Sequence, residues 1–138
     1  MSKKREFNGA NSKINLLHGG CVSVSDLEGK EKLISPKKLD KWEGAIKITL
    51  DYPFEKEFSF EIEKQANAPW NTETIVSAIH DGYEYMYSKS KNLGSLPFLI
   101  NQIHIGEFGT SWHVIEDLWI ERLWFNSQTG EIGMFVGS

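Results

Sequence analysis

His113 and Asp117 stand four positions apart, with Glu116 between them, in the stretch GEFGTSWHVIEDLWIERLWFN at residues 106–126. On a helix this spacing sets imidazole and carboxylate on one face, where they could form a base and its orienting acid or half of a metal site. On a strand the two also share a face, but too far apart for a direct hydrogen bond. A metal site needs further donors, and His80 and His104 are the candidates that tertiary contacts could bring to His113. No H-E-x-x-H pair supplies two histidines locally. Glu116, Asp117 and Glu121 could hold a cation or exchange protons. They lack the oxygen-donor spacing of a calcium loop, and they equally suit a charged edge that resists aggregation.

Other chemistry-bearing residues are weaker still. Gly106 and Gly109 with Thr110 and Ser111 could expose backbone amides as an anion nest, or simply turn the chain. Ser111 lacks the G-x-S-x-G spacing of a nucleophile elbow, and Gly19-Gly20 lacks the lysine of a phosphate loop. Cys21 has no histidine beside it in sequence and reads as a small buried or partly buried thiol. His80 falls at the edge of an apolar helical stripe, where it can half-bury and donate a bond. The first expectation is therefore no catalytic residue, no metal and no cofactor. The alternatives are His113, Asp117 and Glu116 as catalytic groups, and His80, His104 and His113 as metal ligands.

The elements that would position these groups follow from periodicity. In AIKITLDYPFEKEFSFEIEK, Ile46, Ile48 and Leu50 alternate with Lys47 and Thr49, and Phe58, Phe60 and Ile62 alternate with Ser59, Glu61 and Glu63. Two such runs around Pro53 predict an antiparallel hairpin with one wet face. Ile75, Val76, Ile79, Tyr83, Met86 and Tyr87 form one stripe of a helix over about 72–88, capped by Asn71 or Thr72. Gly82 beside Ala78 costs about 1 kcal/mol in helix propensity but would let a sheet approach closely. A strand is expected near 98–105. Residues 126–130 read as a hairpin connection with Gly130 at positive φ, which requires a strand over 118–126 and leaves 111–117 as a turn or one helical turn. This disfavours the helical arrangement that His113 and Asp117 would need.

KINLLHGGCVSVSDLEG fits two short strands around a Gly-Gly turn or a strand and a turn, and SPKKLDKWEG reads as a polar connection. The terminal hairpin is apolar on both faces and reads as a central or doubly covered part of the sheet. Residues 1–12 read as a flexible arm and 13–138 as one domain. The expected class is α+β: a single-layer, mostly antiparallel sheet against one main helix.

The 138 residues suffice for one core without staples. A lone cysteine favours a reducing, cytoplasmic setting, and the first residues lack the apolar region of a signal peptide. No apolar run is long enough to span a membrane. Residues 1–42 carry nine Lys/Arg against five Asp/Glu, and residues 43–138 carry six against fourteen, so the body is acidic. An acidic body disfavours nucleic acid as a partner. Five Trp, four Tyr and eight Phe supply aromatic anchors instead. Trp42, Trp70 and Tyr85 lie outside the clean apolar positions and are expected to stay accessible. With Glu116 and Asp117 they would form a surface for a basic protein. The reading is a small protein-binding module (inhibitor, immunity protein or adaptor) that occludes its partner. The rivals are a small enzyme or ligand-binding protein and a structural subunit of a homo-oligomer.

Overall fold

A computed structural model of the chain describes residues 12–54, 56–93 and 114–138. The elements in chain order are β1 (Lys13–Asn15), β2 (Val22–Ser23), α1 (Lys37–Asp40), β3 (Ile46–Leu50), β4 (Phe58–Ile62), α2 (Thr72–Leu93), β5 (Trp119–Asn126) and β6 (Glu131–Gly137). The strands form one mixed sheet in the order β1-β5-β6-β3-β4, with β2 beside β5. All pairings are antiparallel except β3 with β6. The expected α+β layer of sheet and main helix is the architecture found. The strand expected at 98–105 lies outside the described residues.

The β3–β4 hairpin has the register its alternation demands. Ile46, Ile48 and Leu50 pair with Ile62, Phe60 and Phe58 on the face toward α2, while Lys47 and Thr49 oppose Glu61 and Ser59 on the other. Thr49 and Ser59 share a hydroxyl–hydroxyl bond of 2.8 Å. The α2 stripe is buried throughout, from Ile75 to Tyr87, and joins Ile46, Ile48, Leu50, Ile120 and Phe125 in one core. Each such aliphatic or aromatic side chain contributes about 1.5–3 kcal/mol on full burial.

Polar contacts fix the helix against this core. Asn71 Oδ1 accepts the Thr74 N–H at 2.9 Å, the arrangement of an N-cap. Thr72 is instead fully buried, with its hydroxyl donating to the Ile34 carbonyl and its N–H donating to Ser35 Oγ at 3.0 Å. Further along, the Tyr83 hydroxyl donates to the Tyr52 carbonyl at 2.6 Å. The helix runs about one turn beyond the expected end, to Leu93.

One expectation needs correction: the polar connection at 35–44 contains the short helix α1, which plants Leu39 fully in the core. The terminal hairpin is central in the sheet, as expected, with Leu123 and Phe125 buried in the core on one face. On its other face Trp124 lies against Gly133 and meets Phe135 edge-on at 5.7 Å, and Phe135 is 56% exposed. Lys13 Nζ stands 5.0 Å from the Trp124 ring centre and the Arg122 guanidinium 5.9 Å from that of Phe135. Among the described residues these aromatics are covered by one another and by cations.

Candidate functional site

His104 and His113, with the glycine-containing turn at 106–111, lie outside the described residues. Glu116 and Asp117 are exposed in a single 3-10 turn, Ile115–Asp117, directly before β5. Asp117 accepts the Val114 N–H at 3.3 Å. Both carboxylates lie near Tyr87 and oppose its ionisation, which burial already disfavours, so its phenol pKa stands well above the usual range. His80 half-buries as its position on the stripe implied. Its Nδ1–H donates to the Val24 carbonyl at 2.7 Å, and Nε2 lies 3.4 Å from Glu84. Among the described residues no three His, Cys, Asp or Glu side chains are placed to hold a metal. Cys21 is exposed, not buried as expected.

The aromatic candidates separate. Trp70 is 4% exposed, and its indole N–H donates to the Gly44 carbonyl at 3.0 Å. This corrects its expected accessibility: the ring closes the start of β3, and its one polar atom is satisfied inside. Trp42 is half-buried, edge-on to Phe125 at 5.3 Å, with its N–H on the Ala45 carbonyl at 3.0 Å. Tyr85 is 43% exposed, as its place opposite the stripe implied. Trp42 and Trp70 thus cluster at the start of β3, Tyr85 lies against β4, and Glu116 and Asp117 lie by Tyr87. The five residues do not share one patch.

Around Tyr85 the structure builds a different surface. The Tyr85 ring lies 5.0 Å from that of Phe58, which stacks on Phe60 at 5.3 Å. Two small residues one helical turn apart, Ala78 and Gly82, bring α2 down onto the sheet. A Cβ on Gly82 would stand 2.7 Å from Leu50 Cδ1 and 2.9 Å from Phe60 Cε1, so only glycine allows this approach without repacking. Between helix and strand runs an open cleft of about 330 Å³, lined by Phe58, Phe60, Ala78, Asp81, Gly82 and Tyr85. No protein-family model, curated protein or solved structure matches this chain.

The cleft is apolar inside and acidic outside. Asp81 is the one carboxylate in its lining, and Glu84 is exposed one turn-step along the same helix. On the other face of β4, away from the cleft, Glu57, Glu61 and Glu63 are exposed, with Lys47 in register opposite Glu61. Lys56 and Lys64 stand just beyond either end. Among the described residues the lining holds one carboxylate, Asp81, and no nucleophile paired with a base. A second cleft, of about 390 Å³ between the Gly19-Gly20 loop and Glu121 and Arg122 on β5, is polar and lacks an aromatic anchor.

Sequence reasoning found Tyr85 but missed Phe58, Phe60, Ala78 and Gly82 as its companions. Alternation assigned the two phenylalanines to a buried face, which is correct. That β4 pairs with β3 alone among the described residues depends on strand order, and no local signal carries strand order.

Proposed function

We infer that this chain is a protein-binding module that takes a basic partner on the acid-edged cleft between α2 and β4 and acts by covering part of that partner's surface. The observation that carries this reading is the Tyr85 ring, 43% exposed and set against Phe58 over an apolar cleft whose charged lining residue is Asp81, with Glu84 exposed nearby on the same helix. An exposed aromatic in an apolar recess supplies contact area, and rim carboxylates select for Lys and Arg and speed encounter. The acidic balance of residues 43–138 adds a field of the same sign. An inhibitor, immunity protein or adaptor would all work by this chemistry. Trp42 and Trp70, at the start of β3, take no part in this cleft.

The test is fluorescence anisotropy of labelled peptides against the full chain, using a basic–apolar set and a matched acidic–apolar set. The basic set should bind, and more weakly as salt rises from about 0.05 M to about 0.5 M, because exposed charges are screened over that range. Tyr85→Ala and Asp81→Lys should each weaken binding at least about tenfold, the scale of one lost interface anchor. Equal binding of both sets, or basic binding indifferent to both substitutions, would reject the reading.

A further inference from the structure

At the end of the sheet away from Tyr85, β5 exchanges one neighbour for another. It pairs with β1 as far as Leu123, whose carbonyl accepts the Leu16 N–H at 2.9 Å, and with β2 at Trp119 and Ile120. Between these pairings the chain leaves the sheet through the Gly19-Gly20 loop, and the register of β5 against β6 breaks. Ile120 opposes Val136 and Arg122 opposes Phe135, so Glu121 is the extra residue of a β-bulge. Consecutive strand residues ordinarily point to opposite faces. The bulge re-aims them, and Glu121 and Arg122 line one cleft of about 390 Å³ together with Asn15, Gly19 and Gly20.

The charges in this cleft are held in place but not neutralised. The Arg122 guanidinium stands 5.9 Å from the Phe135 ring centre, and the Glu121 carboxylate lies over Gly137, where a side chain would displace it. Among the described residues the only ion pair joins His80 to Glu84, so Glu121 and Arg122 are paired neither with each other nor with a neighbour. The Asn15 amide and the N–H groups of Gly19 and Gly20 likewise have no partner among the described residues. We propose that this cleft binds a small free amino acid as its zwitterion, with the carboxylate on Arg122 and the ammonium on Glu121. The guanidinium fork matches a carboxylate with two parallel N–H bonds, and a glutamate accepts from an ammonium. Asn15 can donate to one end or accept from the other. A ligand of single charge would meet one attractive and one repulsive group on the same wall, whereas a dipolar one satisfies both. Lys32, whose stem lies against Gly20, adds a second cation on the loop side, so the carboxylate end is the more strongly held. The apolar groups of the lining, Leu17 and Leu123, are only 8% and 1% exposed, which favours a short side chain on the ligand. The volume lies near the lower end of the range for small-molecule sites.

The experiment follows backbone amide signals of the full chain by NMR during titration with glycine, alanine and serine. Two capped forms of alanine serve as controls: N-acetylalanine, which lacks the ammonium, and alaninamide, which lacks the carboxylate. The free amino acids should shift the signals of Gly19, Gly20, Glu121 and Arg122 saturably. Each capped form should bind at least about tenfold more weakly, the scale of one lost charge-assisted bond. Arg122→Gln should abolish the preference for alanine over alaninamide and keep that over N-acetylalanine, and Glu121→Gln should do the reverse. Both side chains are exposed, so neither substitution disturbs the core, and a loss of folding would not produce this crossed pattern. Equal affinity for free and capped forms, shifts that map away from the cleft, or no saturable shift by any amino acid at about 10 mM would overturn the proposal. None of these outcomes bears on the Tyr85 cleft, which shares no residue with this site.

Discussion

Gly130 and Gly19 form a matched pair that separates backbone strain from packing. Both have left-handed backbones, with φ of 76° and 75°. An ideal Cβ on Gly19 meets nothing within 4 Å, whereas one on Gly130 would stand 2.6 Å from Trp42 Cζ2 and 3.0 Å from the Ala45 carbonyl oxygen. Alanine at either position carries the left-handed penalty of about 1–2 kcal/mol, partly offset by the lower entropy of its unfolded chain. Gly19→Ala should therefore cost about 1 kcal/mol. Gly130→Ala adds overpacking of about 1–3 kcal/mol, because a backbone carbonyl and a ring wedged on Phe125 cannot both retreat, for a total of about 2–4 kcal/mol. Gly130 also supplies the carbonyl that ties β6 to Lys47, so the strain acts on the joint that positions β3 and, through it, β4. Urea titrations followed by tryptophan fluorescence would read the difference: with a slope of about 1.5 kcal/mol per molar, the midpoint should fall by about 2 M for Gly130→Ala and by under about 1 M for Gly19→Ala. Equal midpoints for the two variants would refute the claim that Trp42 is packed against this turn.

Asn71→Ala should lower stability by about 1 kcal/mol through loss of the N-cap, measured by the same titration, and Asn71→Asp should recover most of it. Tyr83→Phe should cost about 1 kcal/mol by leaving the Tyr52 carbonyl without its donor, with no change in tryptophan environment at the other end of β3. Tyr83 and Tyr87 are both held protonated by burial, with neighbouring acids acting in the same direction, so their folded pKa values exceed the unfolded ones. Their stabilising contribution is complete below the ordinary tyrosine pKa of about 10 and is lost as pH rises beyond it; stability should fall in alkali, and less steeply in Tyr83→Phe. Tyr85→Ala should change stability by under about 1 kcal/mol while removing basic-peptide binding, a separation that thermal melts and anisotropy together would check.

How the sequence divides between what it states locally and what folding adds is clearest in three places. The α2 stripe and the β3–β4 alternation were legible because a period of 3.6 or 2 is a local consequence of backbone geometry, and each buried position repeats the message. Trp70 was misjudged because its burial comes from the Gly44 carbonyl, twenty-six positions away, rather than from any periodic face. The parallel pairing of β3 with β6 was silent in the same way, since a strand's own residues do not name a distant neighbour.

By itself, then, the sequence determined an acidic α+β chain with one amphipathic helix, two hairpins, a helix glycine suited to close packing and an exposed tyrosine. Tertiary structure alone decided that β4 ends the sheet among the described residues and that Gly82 brings α2 onto Phe60. The physical reason is one of range. Periodicity and turn chemistry act over a few residues, whereas an edge is defined by which strand lacks a neighbour, and that depends on how the whole sheet is ordered.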